Sequence, residues 1–484
     1  MVFSSLLFLI LFFAAFLICY FPVGALLGKI IPGRSLSKAV AVRNAILLIF
    51  SLFFYAWGEP RCVFLMLLSS LVDYIDGLLL EKFEDRLGVR KTCLILSLVI
   101  NLSILGVMKY ADFFLGSINM IPGISLPLPG IALPIGISFY TFQTTSYSID
   151  VYRKKVKAER NYFRYLTYIS MFSQLIAGPI VRYSKVSEEL KNRNINLSQF
   201  SKGFYRFLIG LFRKVLIANQ LGAMWDGLRG TENLSVVGAW LGMLLFTLQL
   251  YYDFSAYSDI AIGLGLMMGF HFDENFRYPL SSLSLTDFWR RWHISLSGWF
   301  RDYLYIPLGG NRHGKLKELR NLFIVWFLTG LWHGASWNFV LWGLYHGVFL
   351  VLEKFVYGKF LEKLPKAVRH IYTLIIVVFG FGLFYFDKMS EFGNYLTYAF
   401  KIAGNAFAGP EILWVIGNNI PILLVAIVCM YPVFPKLLEI YHSLGEKKKD
   451  VIYLAGGFAA AGLLLLSIAE LVGSSFNPFL YFRF

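Results

Sequence analysis

The chain has 484 residues, of which 57% are hydrophobic and only 15% are charged. Soluble proteins carry about 25% charged residues, so this composition excludes an ordinary soluble protein. The formal net charge is +16. We expect the lysines and arginines to lie in cytoplasmic loops that face anionic lipid, because no basic patch belongs to a polar domain that could bind nucleic acid.

Long uncharged runs recur along the chain. Apolar runs of more than about 18 residues are typical of transmembrane helices, whereas barrel strands alternate in short segments. The sequence therefore predicts an all-α polytopic membrane protein with roughly eleven spans, to within two. The four cysteines form no C-x-x-C pair, so we expect neither a disulfide framework nor a metal site.

The first apolar segment begins at Val2, and the first charge is Lys29. We expect this segment to be retained as a span, since it lacks the basic start and the small-residue site of a cleaved signal peptide. The loop that follows is basic and holds no acid, which predicts a cytoplasmic loop and an N-terminus on the outer side. Its charges are Lys29, Arg34, Lys38 and Arg43.

Later spans are predicted wherever an apolar run is long enough. They lie near residues 44–57, 62–80, 92–108, 203–222, 235–270, 371–386, 411–434 and 451–472, and in the run at 322–352. Residues 113–149 carry four prolines, which predicts a loop or re-entrant segment and then a helix from about Leu133. Residues 182–202 and 273–320 are polar and predict surface or interfacial segments.

The uncharged run at residues 322–352 holds two histidines, His333 and His346. They are 13 residues apart, which at about 100° per residue leaves the rings about 140° apart on one helix. The run exceeds the roughly 20 residues needed for one span, and its four glycines allow a bend or close packing. We therefore expect a break near His333, with His346 in the next helix. A neutral ring hydrogen-bonded in a polar core is the structural alternative, equally favoured for His333 and more favoured for His346.

The segment at residues 287–314 combines charges with aromatic rings. Asp287 and Arg291 are four residues apart and can pair along a helix, with Arg290 between them. Tryptophan suits a membrane interface, and His293 follows the two arginines. The segment is either an interfacial anchor or the wall of a pocket that opens to the cytoplasm.

Two carboxyl groups, Asp253 and Asp259, lie in the predicted span at 235–270. Ionisable groups at membrane depth usually face the bundle interior or a cavity and often mark function. These two could form an ion site or a proton relay, although a structural role beside hydroxyls or a distant arginine is favoured. Gln174 is a further polar residue, and the Gly178–Pro179 pair after it is expected to end or kink its helix.

Five motifs occur in order along the chain. They are LPIGISFYTFQTTSYSIDVYR at 133–153, FSQLIAGPIVRY at 172–183, YYDFSAYSDIAIG at 251–263, DFWRRWHISLSGWFRDYLYIPLGGNRHG at 287–314 and GLWHGASWNFVLWGLYHG at 330–347. Together they resemble the membrane-bound O-acyltransferase family, above all its bacterial alginate O-acetylation branch and more distantly the teichoic-acid D-alanyl transfer proteins. Ser173 departs from the proline expected in the closer branch, which bears on the branch and not on the catalytic motif.

The resemblance implies a single integral membrane domain over residues 1–484, with its motif-bearing core at about 130–350 and a helical bundle that encloses a tunnel. By this resemblance, the family's essential histidine corresponds to His333. The resemblance places His293 on the opposite side of the tunnel and gives His346 a less defined supporting role.

The resemblance also implies a location in the bacterial plasma membrane and no bound cofactor or metal. An activated donor, acetyl-CoA or another acyl thioester, would enter from the cytoplasm. The acyl group would leave on hydroxyls of an extracellular or cell-envelope polysaccharide, directly or through an extracytoplasmic acetyltransferase partner.

Acyl transfer to a hydroxyl needs a base, and imidazole suits that task near neutral pH. We expect His333 to be the base, and tryptophan N–H, Asn338 or backbone N–H groups to stabilise the oxyanion. The residues expected to support the site or line the tunnel are His293, His346, Asn338, Asp287, Arg290, Arg291, Asp253, Asp259 and Gln174.

Three other functions stay open on the sequence. The first is D-alanyl transfer to teichoic acid, within the same family. The second is a proton-coupled transporter that uses Asp253, Asp259 and His333. The third is a structural scaffold that would tolerate the loss of every charge inside the membrane.

Overall fold

The fold is known from a computed structural model that describes residues 1–23, 26, 36–473 and 478–480. Within these ranges every regular element is a helix and none is a strand, which confirms the predicted all-α class. The part of the predicted cytoplasmic loop that carries Lys29 and Arg34 lies outside the described residues.

Ten α-helices lie in the described residues between 13 and 268. In chain order they are α1 (Phe13–Ile18), α2 (Leu36–Gly58), α3 (Val63–Lys82), α4 (Leu87–Ile118), α5 (Ile137–Tyr152), α6 (Tyr162–Ser170), α7 (Tyr183–Val186), α8 (Leu197–Phe212), α9 (Asn219–Arg229) and α10 (Val236–Met268). π-helical turns lie before and after α1 and between α8 and α9, at Leu7–Phe12, Cys19–Val23 and Arg213–Ala218.

Ten further α-helices follow in the part of the chain that is described. They are α11 (Leu285–Arg291), α12 (Ile294–Phe300), α13 (Lys315–His333), α14 (Trp337–Leu352), α15 (Gly358–Leu361), α16 (Lys366–Tyr385), α17 (Met389–Ala399), α18 (Pro410–Cys429), α19 (Val433–Ser443) and α20 (Glu446–Gly473). A 3-10 turn at Pro279–Ser281 precedes α11, and π-helical turns follow α12 and α14 at Arg301–Tyr305 and Glu353–Tyr357.

Nine helical segments of the described chain are long and apolar enough to cross a membrane. They are α2 from Lys38, α3, α4, the continuous segment from the start of α8 to the end of α9, α10, the segment from α14 to α15, α16, α18 and α20. The first apolar segment, Leu7–Pro22, is a shorter helix. These nine helices overlap each of the later predicted spans, while the predicted total of roughly eleven stays a prediction.

The proline-rich stretch is a loop between α4 and α5, as predicted, but α5 begins at Ile137 rather than near Leu133. Pro134 and Gly136 explain the later start. Gly136 has a φ of 78° in the left-handed region, and a Cβ there would lie 2.8 Å from the carbonyl oxygen of Leu175. The helix before Gln174 also ends earlier than the Gly178–Pro179 pair predicts, because α6 stops at Ser170.

The chain folds into two compact units, each made of two separate segments of sequence. The first comprises Met1–Phe207 and Ser258–Glu274, and the second comprises Leu208–Tyr257 and Asn275–Phe484. In the first unit, α3, α4 and α5 pack together around buried polar groups. Asp73 there accepts hydrogen bonds from Ser97, Ser148 and Asn101.

In the second unit, α13 and α14 pack closely against each other. A Cβ on Gly343 would lie 2.3 Å from the carbonyl oxygen of Trp326 and 2.9 Å from the Cα of Gly330. Only glycine lets the two backbones approach so closely, which confirms the close packing that the glycines of this run predicted. This helix pair positions the segment that carries His333.

Candidate active site

The run at 322–352 breaks between α13 and α14. His333 is the last residue of α13, residues 334–336 are not helical, and α14 begins at Trp337. A Cβ on Gly334 would lie 2.1 Å from the ring of Phe339, so the break also needs a glycine. The predicted break is confirmed, and it puts His333 and His346 on different helices.

His333 lines two cavities of the second unit. The larger has a volume of about 250 Å³ and is also lined by His293, and the smaller has a volume of about 20 Å³. Trp292 is the other residue shared by both linings. The rings of His333 and Trp292 therefore form the partition between the two cavities.

Aromatic rings surround the buried imidazole of His333. The rings of Trp332, Trp342 and Phe384 lie edge-on to it, with centroids at 5.0, 4.9 and 5.3 Å. Such surroundings make this side of the ring apolar and hold the ring orientation, since aromatic pairs favour edge-to-face packing. Trp332 also contacts the ring of His293, with centroids 6.2 Å apart.

His293 is held at the start of α12 by Asn275. The His293 Nδ1 lies 3.1 Å from the Asn275 Oδ1, which also accepts hydrogen bonds from the backbone N–H and hydroxyl of Ser295. Because a backbone N–H can only donate, this side-chain atom of Asn275 must be the oxygen. The His293 Nδ1 therefore carries the hydrogen, and Nε2 keeps its lone pair.

His293 is a neutral ring with an available acceptor. Burial lowers the pKa of His293 to about 3, because the charged form would be desolvated. Its Nε2 is buried and has no hydrogen-bond partner among the described residues. In this state the ring stays uncharged near neutral pH and keeps one nitrogen lone pair as an acceptor.

Two arginines and a tryptophan also line the larger cavity. Arg290 and Arg301 both line it, and Arg301 also pairs with Asp302 at 2.8 Å. Trp289 lines the same cavity, and its buried Nε1 has no acceptor within the part of the chain that is described. The cavity thus combines positive charge with a donor in an apolar site.

His346 lies behind the cavity wall. It is fully buried on α14, and its ring contacts those of Trp289, Trp326 and Trp342. Neither ring nitrogen has a hydrogen-bond partner among the described residues. His346 does not line the larger cavity, although Trp289 and Trp326 do.

Asp287, Arg291 and Asn338 are placed outside the linings of both cavities. Asp287 accepts a hydrogen bond from the Arg291 Nε at 2.8 Å, which confirms the predicted pair on α11. Asn338 donates its amide hydrogen to the carbonyl oxygen of Phe386. That donor is therefore engaged by the backbone, whereas the Trp289 N–H is not.

The two carboxylates of α10 have separate partners. Asp253 lines the smaller cavity and accepts from the Lys214 Nζ at 2.6 Å. Asp259 belongs to the first unit and pairs with Arg206 at 2.6 Å, as the structural interpretation predicted. Gln174, also in the first unit, is buried and donates to the carbonyl oxygen of Tyr168.

The roles of several residues at these cavities could not be predicted from the sequence. Asn275 and Lys214 act on His293 and Asp253 from distant positions in the sequence, where no spacing rule could connect them. Arg301 stood inside the motif at 287–314 and could have been noticed as a third basic residue. Among the described residues, no group of three His, Cys, Asp or Glu side chains could hold a metal ion.

The fold and these cavities define a multi-pass helical membrane protein with a buried site lined by histidine. In a comparison with protein families, residues 62–392 match the membrane-bound O-acyltransferase family. The chain belongs to this family, and it is a multi-pass membrane O-acyltransferase, as the motifs predicted.

Individual relatives differ in acceptor and in acyl group. The chain is 37% identical to a probable alginate O-acetylase of Pseudomonas putida, over the full length of both chains. It is 32% identical to a peptidoglycan O-acetyltransferase of Helicobacter pylori, over 97% of this chain and 96% of that one. A teichoic acid D-alanyltransferase of Bacillus subtilis is 29% identical over 52% of this chain and 68% of its own length.

Proposed function

We propose that the protein transfers an acetyl group from a cytoplasmic acyl thioester, with acetyl-CoA as the default donor, to hydroxyls of an extracellular or cell-envelope polysaccharide. The transfer is direct or passes through an extracytoplasmic acetyltransferase partner, and the location is the bacterial plasma membrane. The observation that carries this proposal is that His333 and His293 line one cavity that is also lined by Arg290 and Arg301. The names of two relatives, a probable alginate O-acetylase and a peptidoglycan O-acetyltransferase, support a polysaccharide acceptor.

His333 is the general base in this proposal. Its imidazole takes the proton of the attacking hydroxyl, whose oxygen bonds to the acyl carbonyl carbon. Collapse of the resulting oxyanion breaks the bond to sulfur, and the thiolate leaves and is protonated. Overall, one ester forms and one thioester breaks.

The other cavity residues have separate tasks. The His293 Nε2 accepts a hydrogen bond and orients the hydroxyl, and the Trp289 N–H stabilises the oxyanion in an apolar site. Arg290 and Arg301 attract an anionic donor to the larger cavity, since guanidinium groups bind phosphate well.

A His333→Ala variant tests the base. We expect ester formation to fall by about a hundredfold or more, because general-base catalysis contributes about 10²–10⁴ in rate. The measurement is mass spectrometry of alkali-labile acetyl groups on envelope polysaccharides of a gene-deletion strain complemented with each variant. His442→Ala, at an exposed histidine of α19, is the matched control. Normal acetylation by a His333→Ala protein that reaches the membrane at normal amounts would exclude this role.

D-alanyl transfer is the second candidate, and the likeness to the B. subtilis teichoic acid D-alanyltransferase is the observation that favours it. The same mass spectrometry separates the two functions. Acetyl and D-alanyl esters differ in mass, and only the ester that depends on this gene belongs to the protein.

A further inference from the structure

The smaller cavity beside His333 is narrow and mostly apolar. It has a volume of about 20 Å³, and apart from His333 and Asp253 its lining is apolar or aromatic. Leu250, Phe381 and Leu480 contribute to this lining from three distant parts of the sequence. Leu480, which lies outside the family motifs, forms part of the cavity wall.

A buried ion pair fixes residues 478–480 in place. The Lys214 Nζ donates to the Asp253 Oδ1 at 2.6 Å and to the carbonyl oxygen of Pro478 at 3.0 Å. The other carboxylate oxygen of Asp253 accepts from the backbone N–H of Leu480 at 2.7 Å. The ring of Phe479 lies 4.8 Å from the Lys214 Nζ, as in a cation–π contact.

This anchor explains why two charges are buried there. The side chains of Lys214 and Asp253 are only 2% and 3% exposed. Each of the two also bonds the backbone of residues 478–480, Lys214 at the carbonyl oxygen of Pro478 and Asp253 at the N–H of Leu480. The pair therefore positions Leu480 in the cavity wall.

The cavity volume sets a size limit. A cavity of about 10–15 Å³ holds one water molecule, so about 20 Å³ accommodates one group of water or methyl size. The methyl of an acetyl group whose carbonyl lies beside His333 would fit. A propionyl or butyryl chain would press on the aromatic wall, and a D-alanyl group would add both a methyl and an ammonium group.

We propose that this cavity is the acyl pocket, and that residues 478–480, anchored by Lys214 and Asp253, restrict the transferred acyl group to two carbons. This inference rests on the proposed function, because it needs His333 at the point of transfer. It adds a determinant of acyl size to that function.

The test compares acyl donors on the full-length protein in membrane vesicles with their endogenous polysaccharide. The probes are acetyl-CoA, propionyl-CoA and butyryl-CoA, and mild alkali followed by mass spectrometry quantifies each ester. Leu480→Ala should raise the ratio of butyryl to acetyl transfer about tenfold or more, since relief of overpacking is worth about one factor of ten or more. Leu245→Ala, at a buried leucine of α10 outside both cavities, should leave the ratio unchanged.

Two further variants allow the test to be made even if the Leu480→Ala protein does not fold. Phe381→Leu opens the same cavity from α16 and should raise the ratio in the same direction. Asp253→Asn keeps the side-chain shape but removes the charge that holds Lys214 and Leu480, so it should also raise the ratio. A merely structural role of Asp253 would lower all three rates together and leave the ratio constant.

The outcomes separate this inference from the function beneath it. A wild-type protein that transfers butyryl as fast as acetyl overturns the acyl pocket and leaves acyl transfer intact. A constant ratio in stable Leu480→Ala and Phe381→Leu proteins overturns it too. If wild-type vesicles form none of the three esters above those of the gene-deletion strain, the proposed function fails and this inference fails with it.

Discussion

The two histidines of the larger cavity have different surroundings, and these assign them different chemistry. His333 is enclosed by aromatic rings at the end of α13, between two cavities. His293 is oriented by a neutral amide, Asn275, which fixes its tautomer without supplying charge. A neutral partner suits a ring that must stay uncharged and accept a hydrogen bond at Nε2.

Replacing Asn275 with Asp tests the tautomer of His293. The new carboxylate keeps the hydrogen-bond geometry but favours the charged imidazole, so it should raise the pKa of His293 from about 3. Below the new pKa, Nε2 gains a hydrogen and can no longer accept. We expect the acid side of the pH–rate profile to move to higher pH, by a unit or more.

The control for this experiment is Asn394→Asp, the same charge change at an exposed residue of α17. The readout is the initial rate of acetyl ester formation between pH 3.5 and pH 9, so that a rise of the His293 pKa from about 3 falls within the range. A profile of Asn275→Asp that overlays that of the control would mean that His293 takes no part in the reaction.

At the scale of helices, the site depends on how closely α13 and α14 approach. The added Cβ of Gly343→Ala would lie 2.3 Å from the carbonyl oxygen of Trp326, so the helices must separate. We expect a loss of about 1–3 kcal/mol in stability, the usual effect of overpacking. Because His333 ends α13, a shift of that helix should also lower the transfer rate.

Thermal unfolding of the purified protein in detergent measures this effect. Gly462→Ala in α20 is the control, since a Cβ there meets nothing within 4 Å and alanine favours a helix. Equal unfolding midpoints for Gly343→Ala and Gly462→Ala would show that α13 and α14 can separate without loss of stability.

At the scale of the whole molecule, the apolar runs were sufficient to predict the helical class and the position of the spans. Hydrophobic length is a local property, so each span could be found without knowledge of its neighbours. The break after His333 followed equally from length and glycine content. These predictions needed no contact between distant residues.

What the sequence could not show depends on contacts over long separations. Lys214, Asn275 and Leu480 become relevant only because the fold brings them to Asp253, to His293 and to the smaller cavity. The sequence left an ion site or proton relay at Asp253 and Asp259 open but favoured a structural role, and in the fold each carboxylate pairs with its own cation. A transporter built on them thus loses its main support, while the catalytic role of His333 stays a prediction.

The buried state of His293 also has a consequence for the stability of the whole fold. In the unfolded chain its pKa is about 6.5, whereas burial lowers the folded value to about 3. Between these values the unfolded state binds more protons, so the free energy of unfolding rises with pH there. The contribution of His293 is complete above about pH 6.5 and declines by up to about 1.4 kcal/mol for each unit as the pH falls towards 3.

Unfolding midpoints in detergent at pH 7.5, 6.0 and 5.0 should therefore decrease more for the wild type than for His293→Gln. Glutamine keeps a polar side chain but does not titrate, so the difference between the two slopes isolates this one group from every carboxylate. Parallel curves for the two proteins would mean that His293 is not buried as a neutral ring. In that case it could not act as a fixed acceptor in the larger cavity either.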